Sequence, residues 1–347
     1  MILASLSILA FLASLVLCRL IMAVVPKDAP DGGRKTQTIA VPTSGGVAIG
    51  AAIVISWFGH LMLAPDIFHS SGAGHFGAVN GNALICLSLA GLLIGGLDDR
   101  FAIPAKPKFI ALAIASGLAA LLGPHVAGVF LPVADAYFPI ATWFGISGTA
   151  LWFFVFMNAT NFMDGSNGLA MGTLAIMICG MSIHLYAGSD LQPLSVLGLL
   201  TIAAILGFLF WNLQGKLYAG DAGSLSGGAM FAGLGIYAAQ DGNIWFPATL
   251  ALPFLVDVFM TLIWRARARH NLLTPHRHHA YQLFIRSGWS HFKTALFWWS
   301  MSVICAGAAL WAAADSKAMS AYVFCGMVGL GCGLWLIQRA RTRLIHS

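Results

Sequence analysis

The chain of 347 residues contains no glutamate: all twelve of its acidic residues are aspartate. Any carboxylate that binds a cation or handles a proton is therefore one of those twelve. Charge of either sign is scarce. Charged residues make up 9% of the chain, against roughly a quarter in a soluble globular protein. Hydrophobic residues make up 59%, and mean hydropathy is +0.84. Such a chain cannot cover a water-facing surface, and disorder is excluded because it needs low hydrophobicity. Paired cysteine spacing is also missing. Cys18, Cys86, Cys179, Cys305, Cys325 and Cys332 all lie in apolar runs, which reads as small apolar packing rather than disulfides or a metal site. A net charge of +6 would point to nucleic acid only if the basic residues shared a soluble face, so no nucleic-acid partner is expected.

What is present is an all-α, polytopic membrane protein. A transmembrane helix takes about 20 apolar residues, which leaves room for about ten or eleven helices, short loops and no large soluble domain. The apolar runs between polar or Gly/Pro punctuation predict helices near 1–25, 44–64, 81–97, 108–123, 141–160, 168–187, 194–211, 224–240, 245–265, 293–313 and 319–338. The first run has no basic segment ahead of it and no small-residue cleavage site, so it reads as a retained helix rather than a removed signal. Within 108–140, Gly123-Pro124 and Pro132 leave room for a short interfacial helix. The whole of 1–347 reads as one transmembrane domain with working loops at 26–43, 98–107, 158–168, 212–224 and 266–292.

Lys and Arg set the expected orientation. With the N-terminus outside and the C-terminus cytoplasmic, 17 of the 18 basic residues fall on the cytoplasmic side and only Lys317 outside. The same topology sends Asp66, Asp135, Asp190, Asp241 and Asp315 to external loops. It puts Asp28, Asp31, Asp98, Asp99, Asp164 and Asp221 at cytoplasmic helix ends, and Asp257 inside a helix. An ionisable group at membrane depth is expensive and usually functional, so these seven ask for an explanation.

Five elements gather at that face. In "GGLDDRF", Asp98 and Asp99 adjoin at a helix exit; two neighbouring carboxylates suit a divalent cation or a base of raised pKa, against the plain alternative of a solvated helix end. In "NATNFMDGSNGLA", Asn158, Asn161, Asp164 and Asn167 recur at near-helical spacing with Gly165 and Gly168; the plain alternative is polar glue between helices. In "WNLQGKLYAGDAGSLSGG", Asp221 sits among glycines just before a helix whose free N–H groups could receive phosphate oxygens; the alternative is a capping Asp. The loop from Arg265 to His291 carries His276, Arg277, His278 and His279. It lacks cysteine and paired helical histidines, and fits a diphosphate better than zinc, with topology and anionic lipid as the plain explanation of its arginines. The basic segment "RKTQTIAVPTSGG" is a weak signal alone. Together, Asp, Asn, Gly and basic residues at one face suit magnesium-dependent chemistry on phosphates at the lipid–water boundary.

Six of these motifs, "PTSGG", "LDDR", "NATNFMDGSNGLA", "YAGDAGS", "LPFLVD…R" and "HRHHAYQ", stand in one order from Arg34 to about Trp289. In that order they resemble the polyprenyl-phosphate N-acetylhexosamine-1-phosphate transferases (glycosyltransferase family 4), which include the WecA-type enzymes and the phospho-MurNAc-pentapeptide translocase. The resemblance implies transfer of a sugar-1-phosphate from a UDP-N-acetylhexosamine to undecaprenyl phosphate, with release of UMP, in a bacterial inner membrane. It implies Mg2+, with Mn2+ as a substitute, as cofactor, and opens the prospect of a homodimer. It casts Asp98, Asp99 and Asp221 as catalytic and metal-binding, with Asp98 orienting or deprotonating the lipid phosphate. Asn158, Asn161, Asp164, Asn167 and Asn212 would bind substrate, Tyr218 would stack on uracil, and His276, Arg277, His278 and His279 would meet the diphosphate or sugar. A long apolar groove would hold the prenyl tail.

The chain departs from the family at several positions. Gln37 stands where many WecA-type members have His, and Thr38 where the translocase branch has Lys. Asn167 replaces a frequent Asp, while "HRHHAYQ" and Asp257 replace that branch's "HHHFE" and in-helix Glu. Thr38, "HRHHAYQ" and Asp257 favour a WecA-like role at the first membrane step of cell-surface glycan assembly, of the O-antigen or exopolysaccharide type, over the peptidoglycan step. A transporter or flippase is the reading from another class. It would place ionisable groups near the bilayer midplane and repeat its halves, and neither pattern is visible.

Overall fold

The structure is a computed structural model that describes residues 2–25, 40–63, 73–187, 192–272, 274 and 276–346. Lys27, Asp28, Asp31, Arg34, Lys35, Gln37, Thr38, Asp66 and Asp190, and so most of the 26–43 loop, lie outside these residues.

Among the described residues, eleven long helices and one short one make up the fold. They are α1 (Ile2–Val24), α2 (Gly45–Leu63), α3 (Ala73–Phe101), α4 (Ala105–Leu122), α5 (Thr142–Met163), α6 (Leu169–Ala187), α7 (Gln192–Asn212), α8 (Gly220–Ala238), α9 (Trp245–Arg267), the short α10 (Ala280–Arg286), α11 (His291–Asp315) and α12 (Lys317–His346). Each long helix coincides with one predicted apolar run. Nine of them are long and apolar enough to cross a membrane. The other two, α5 and α8, are long enough but less apolar, and they carry the polar residues of the site described below.

Helix α8 explains this arrangement. Its sequence, GDAGSLSGGAMFAGLGIYA, is built of small residues, and almost all of it is buried. It packs against α2, α3, α5 and α6, so its neighbours are helices rather than lipid. Small residues let backbones approach closely where van der Waals packing drives association. A Cβ at Gly46 or Gly95 would run into the backbone of α8's first turn. Peripheral helices reverse the pattern and expose aliphatic stripes, such as Ile110, Ile114 and Leu118 on α4 and Leu9, Leu12 and Val16 on α1.

The segment after α4 forms an antiparallel hairpin, β1 (Gly128–Leu131) with β2 (Ala136–Pro139). The short interfacial helix expected there is therefore corrected. Residues 128–131 and 136–139 pair across a turn that holds Pro132, and the hairpin satisfies its backbone groups locally. It rests on the α8–α9 connection through Phe130 N–H to Gly242 O (3.0 Å) and Trp245 Nε1–H to Phe130 O (2.9 Å). Val133, Tyr137, Phe138 and Trp143 are exposed, as aromatics are at a membrane–water boundary.

Candidate active site

The exit of α3, the entry of α4, the exit of α5, the entry of α8 and the exit of α9 meet at the end opposite the hairpin. Between them lies a cleft of about 600 Å³. Its floor is a buried charge cluster. Lys108, 8% exposed in the first turn of α4, donates from Nζ to Asp98 Oδ2 (2.8 Å), to Asn161 Oδ1 (3.5 Å) and to Asp221 Oδ2. Asn161 Nδ2 completes the ring by donating to Asp221 Oδ1 (2.7 Å) and Ser224 Oγ (3.0 Å). Lys108 was not singled out in the sequence, where it counts as one more cytoplasmic basic residue. What separates it from Lys106 is its place in the apolar period of α4.

Asp99 does something different from Asp98. Its two oxygens accept the N–H groups of Asp221 (2.9 Å) and Ala222 (3.1 Å). A side chain from α3 thus caps the N-terminus of α8, satisfying donors that would otherwise be orphaned. This corrects the expectation that those N–H groups stand free for phosphate. It also corrects the helix start: α8 begins at Gly220, so Asp221 lies inside its first turn. Gly220 is needed here, because its φ is +72° and a Cβ would collide with Thr43 O and the Asp99 carboxylate. The "PTSGG" and "YAG" segments lock together beside it. Tyr218 N–H donates to Pro42 O, Gly45 N–H to Tyr218 O and Gly46 N–H to Ala219 O, each at 2.9 Å.

Asn161 sits in the last turn of α5, whereas Asp164 and Asn167 lie in the turn beyond it, since α5 ends at Met163. The expected single helical face of asparagines is thus interrupted. Asp164 is half-buried, and burial, followed by the charges of Asp221 and Asp99, holds its carboxyl well above the usual carboxylate range. Asn212 accepts Gly168 N–H (2.6 Å) and donates to Leu217 O (2.9 Å), tying two loops of the wall together. Burial also raises the Tyr218 phenol.

The roof is the histidine loop. His276 and His279 line the cleft with Thr274, Tyr281 and Gln282. Asp257, the acidic residue expected inside a helix, anchors this loop. It is 3% exposed and accepts the N–H groups of Ala280 (2.7 Å) and Tyr281 (3.4 Å) at the start of α10, with His279 Nδ1 at 3.6 Å. Tyr281 Oη donates to Phe162 O (3.1 Å), and a Cβ at Gly165 would strike that hydroxyl. Arg265 is buried and holds the loop from below, meeting His278 Nδ1 (3.1 Å) and Thr274 Oγ1 (3.2 Å) and donating to Asn271 O. It is therefore engaged in loop structure and not offered to a phosphate. Arg339 of α12 lies over Trp264 and donates to His278 O (2.7 Å).

Of the predicted site residues, the structure brings Asp98, Asp99, Asn161, Asp164, Asn167, Asn212, Tyr218, Asp221, His276 and His279 to the lining of one cleft. It does not bring Asn158, Arg277 and His278 there. Asn158 is buried one turn back on α5 and donates to Phe154 O (2.7 Å). His278 is held by Arg265, and burial followed by the charges of Arg265 and Arg339 lowers its imidazole to about 4. The described cysteines are all free.

The model of glycosyl transferase family 4 matches residues 82–239, from α3 through α8. This stretch supplies Asp98, Asp99, Lys108, Asn161, Asp164 and Asp221. The chain is 28% identical over 305 residues to a Bacillus subtilis (strain 168) protein named "Probable undecaprenyl-phosphate N-acetylglucosaminyl 1-phosphate transferase", covering 83% of this chain and 80% of that one. It is likewise 28% identical over 312 residues to a phospho-N-acetylmuramoyl-pentapeptide-transferase of Corynebacterium jeikeium (strain K411), covering 76% and 82%. A protein of the same name from Listeria monocytogenes (serotype 4b, strain CLIP80459) is 25% identical over 279 residues, covering 75% and 82%.

Proposed function

We propose that this protein is a family 4 glycosyl transferase that moves an N-acetylhexosamine-1-phosphate from a UDP-sugar to undecaprenyl phosphate and releases UMP. The supporting observation is the Asp98–Lys108–Asp221 cluster, sunk where five helices end and roofed by His276 and His279. A phosphate oxygen of the acceptor attacks the β-phosphorus of the donor. One P–O bond forms there, the bond to the bridging oxygen breaks, and UMP leaves with the electron pair. A phosphate monoester is already largely dianionic near neutral pH, so the step asks for charge neutralisation and alignment more than for a base. Lys108 supplies positive charge at the floor, and His276 and His279 supply donors at the roof. Asp164, Asn167 and Tyr218 stand where a nucleoside would lie, and the prenyl tail would leave over Ile103, Phe109 and Leu262 on the rim.

The cluster suits magnesium in part. Asp98, Asp221 and Asn161 are hard oxygen donors already gathered on one cation, the Lys108 ammonium. Among the described residues no three His, Cys or Asp side chains converge as a metal cage. Asp99 is committed to capping α8. Two carboxylates, Asp98 and Asp221, would therefore hold the ion, with phosphate and water completing its shell, as is usual for magnesium. When bound, the ion would neutralise phosphate oxygens.

This reading places the enzyme in a bacterial inner membrane with its cleft facing the cytoplasm, at the first membrane step of cell-surface glycan assembly. The test is purified protein with undecaprenyl phosphate and magnesium, following UMP across a panel of UDP-N-acetylhexosamine donors. Lipid-dependent UMP that chelator abolishes is expected from one of the simple UDP-sugars. The similarity to phospho-N-acetylmuramoyl-pentapeptide-transferases makes the UDP-MurNAc-pentapeptide the necessary second donor. UMP from that donor alone would move the reading to the peptidoglycan step, and UMP from none would sink it.

A further inference from the structure

A second cavity, of about 400 Å³, lies on the other side of α9 from the cleft, enclosed by α9, α10, α11 and α12. Its walls are almost wholly apolar: Leu252, Phe297, Trp298, Cys305, Met327 and Leu334 are representative. Two polar features stand out among the few that line it. Trp335 lines the cavity, is 6% exposed, and its Nε1–H has no hydrogen-bond acceptor among the described residues. A buried indole N–H normally finds a partner. Arg341 stands at the cavity's mouth two turns further along the same helix, is exposed, and meets no acidic side chain among the described residues. Asp257 also touches the wall, but its carboxylate is taken by Ala280, Tyr281, Thr261 and His279.

Met327, Leu334, Gln338 and Arg341 fall on one face of α12. From Met327 to Arg341 the helix rises about 21 Å at 1.5 Å per residue, which is shorter than the hydrocarbon core of about 30 Å. The cavity is therefore a slot with an apolar depth, a lone indole donor and a cationic mouth at the cleft's end of the molecule. We propose that it binds one anionic phospholipid, with an acyl chain in the slot, its phosphate at Arg341 and a lipid oxygen accepting from Trp335. The cationic mouth selects an anionic head over a zwitterionic one, and the slot ends in α10 rather than at the Asp98–Asp221 floor, which separates it from the acceptor's own path.

The cavity shares a wall with the cleft. Asp257 and Ala280 line it from one side, while the adjoining Tyr281 and Gln282 line the cleft. Gln338, on the cavity-facing stripe of α12, donates to Ala280 O (3.4 Å). A filled slot would brace α10 and the histidine loop above it.

The test uses the full chain, delipidated in detergent and titrated with phosphatidylglycerol or phosphatidylcholine, with bound lipid counted by native mass spectrometry. The expected result is one retained phosphatidylglycerol, preferred about fivefold, the worth of one basic side chain at an anionic surface. Arg341→Gln should erase that preference, and Cys305→Phe, which fills the slot, should abolish retention. Amide exchange across 280–286 should slow when phosphatidylglycerol is added. Equal retention of both lipids, an unchanged preference in Arg341→Gln, or exchange insensitive to lipid would overturn the proposal. Retention of polyprenyl phosphate in place of phospholipid would overturn it too, by making the slot part of the acceptor site. Each readout is binding or exchange, so its failure is distinguishable from a failure to release UMP.

Discussion

At the scale of single residues, the adjacent aspartates have opposite employments. Asp98 faces Lys108, while Asp99 turns back to hold α8. Their substitutions should therefore separate. Lys108→Met removes the cation that bridges Asp98 and Asp221, and the loss of one aligned charge stabiliser typically costs about 10²–10³ in rate. UMP release should fall by that order while the protein stays folded, and Lys108→Arg should recover part of it. Asp99→Ala removes a cap worth about 0.5–2 kcal/mol and frees two buried N–H groups. A lowered melting temperature should accompany its loss of activity, and Asp99→Asn, which keeps one acceptor, should recover stability first. Should Lys108→Met retain activity within threefold of the parent, the cluster is not the reacting centre. The same pair shows where sequence reading stops. "DDR" marks a site, but nothing in two consecutive aspartates says which one looks outward. Lys108 is hidden for a related reason, since as a lysine near a helix entry it is fully explained by topology.

At the scale of elements, helices were legible because each crossing must bury or lipid-expose some twenty residues in one run. The hairpin was not, because four-residue strands broken by Pro132 carry no period long enough to read. The histidine loop lay between these cases. Its residues stand out in the sequence, but their support comes from Asp257, Arg265 and Arg339, scattered over two helices. That support has a pH dependence. His278 is depressed to about 4 by burial, then by Arg265, Arg339, His270 and Arg286, and the His276 ring stacks on it. A histidine whose folded value lies below its free value of about 6.5 favours the fold in its neutral form. Its contribution is complete above about pH 6.5 and is lost as pH falls through about 4. Protease cleavage within 268–279 should therefore rise as pH drops across that window. His278→Gln, which keeps an acceptor for Arg265 but cannot titrate, should flatten the rise. An identical pH profile in parent and variant would remove His278 from the account and leave the carboxylates as the cause.

At the scale of the whole molecule, every element that builds the cleft reaches it from the same side, and the basic residues follow. Arg100, Lys106, Lys108, Lys216, Arg265, Arg267, Arg286 and Lys293 lie at or near the cleft's end. Lys317 lies at the hairpin's end, paired with Asp241 at 3.2 Å. A cell reads this asymmetry during insertion, because basic loops resist translocation. The expected orientation thus sets the cleft in the cytoplasm, where nucleotide sugars are, and the hairpin outside. Two exposed positions report on it. Val133 is 97% exposed at the hairpin turn, and Lys216 is exposed between α7 and α8. In a background with the native cysteines changed to alanine, an impermeant maleimide should label Val133→Cys on intact cells, and Lys216→Cys only after permeabilisation. Labelling in the reverse order would put the cleft on the external face, away from any UDP-sugar, and would refute the transferase reading together with the orientation.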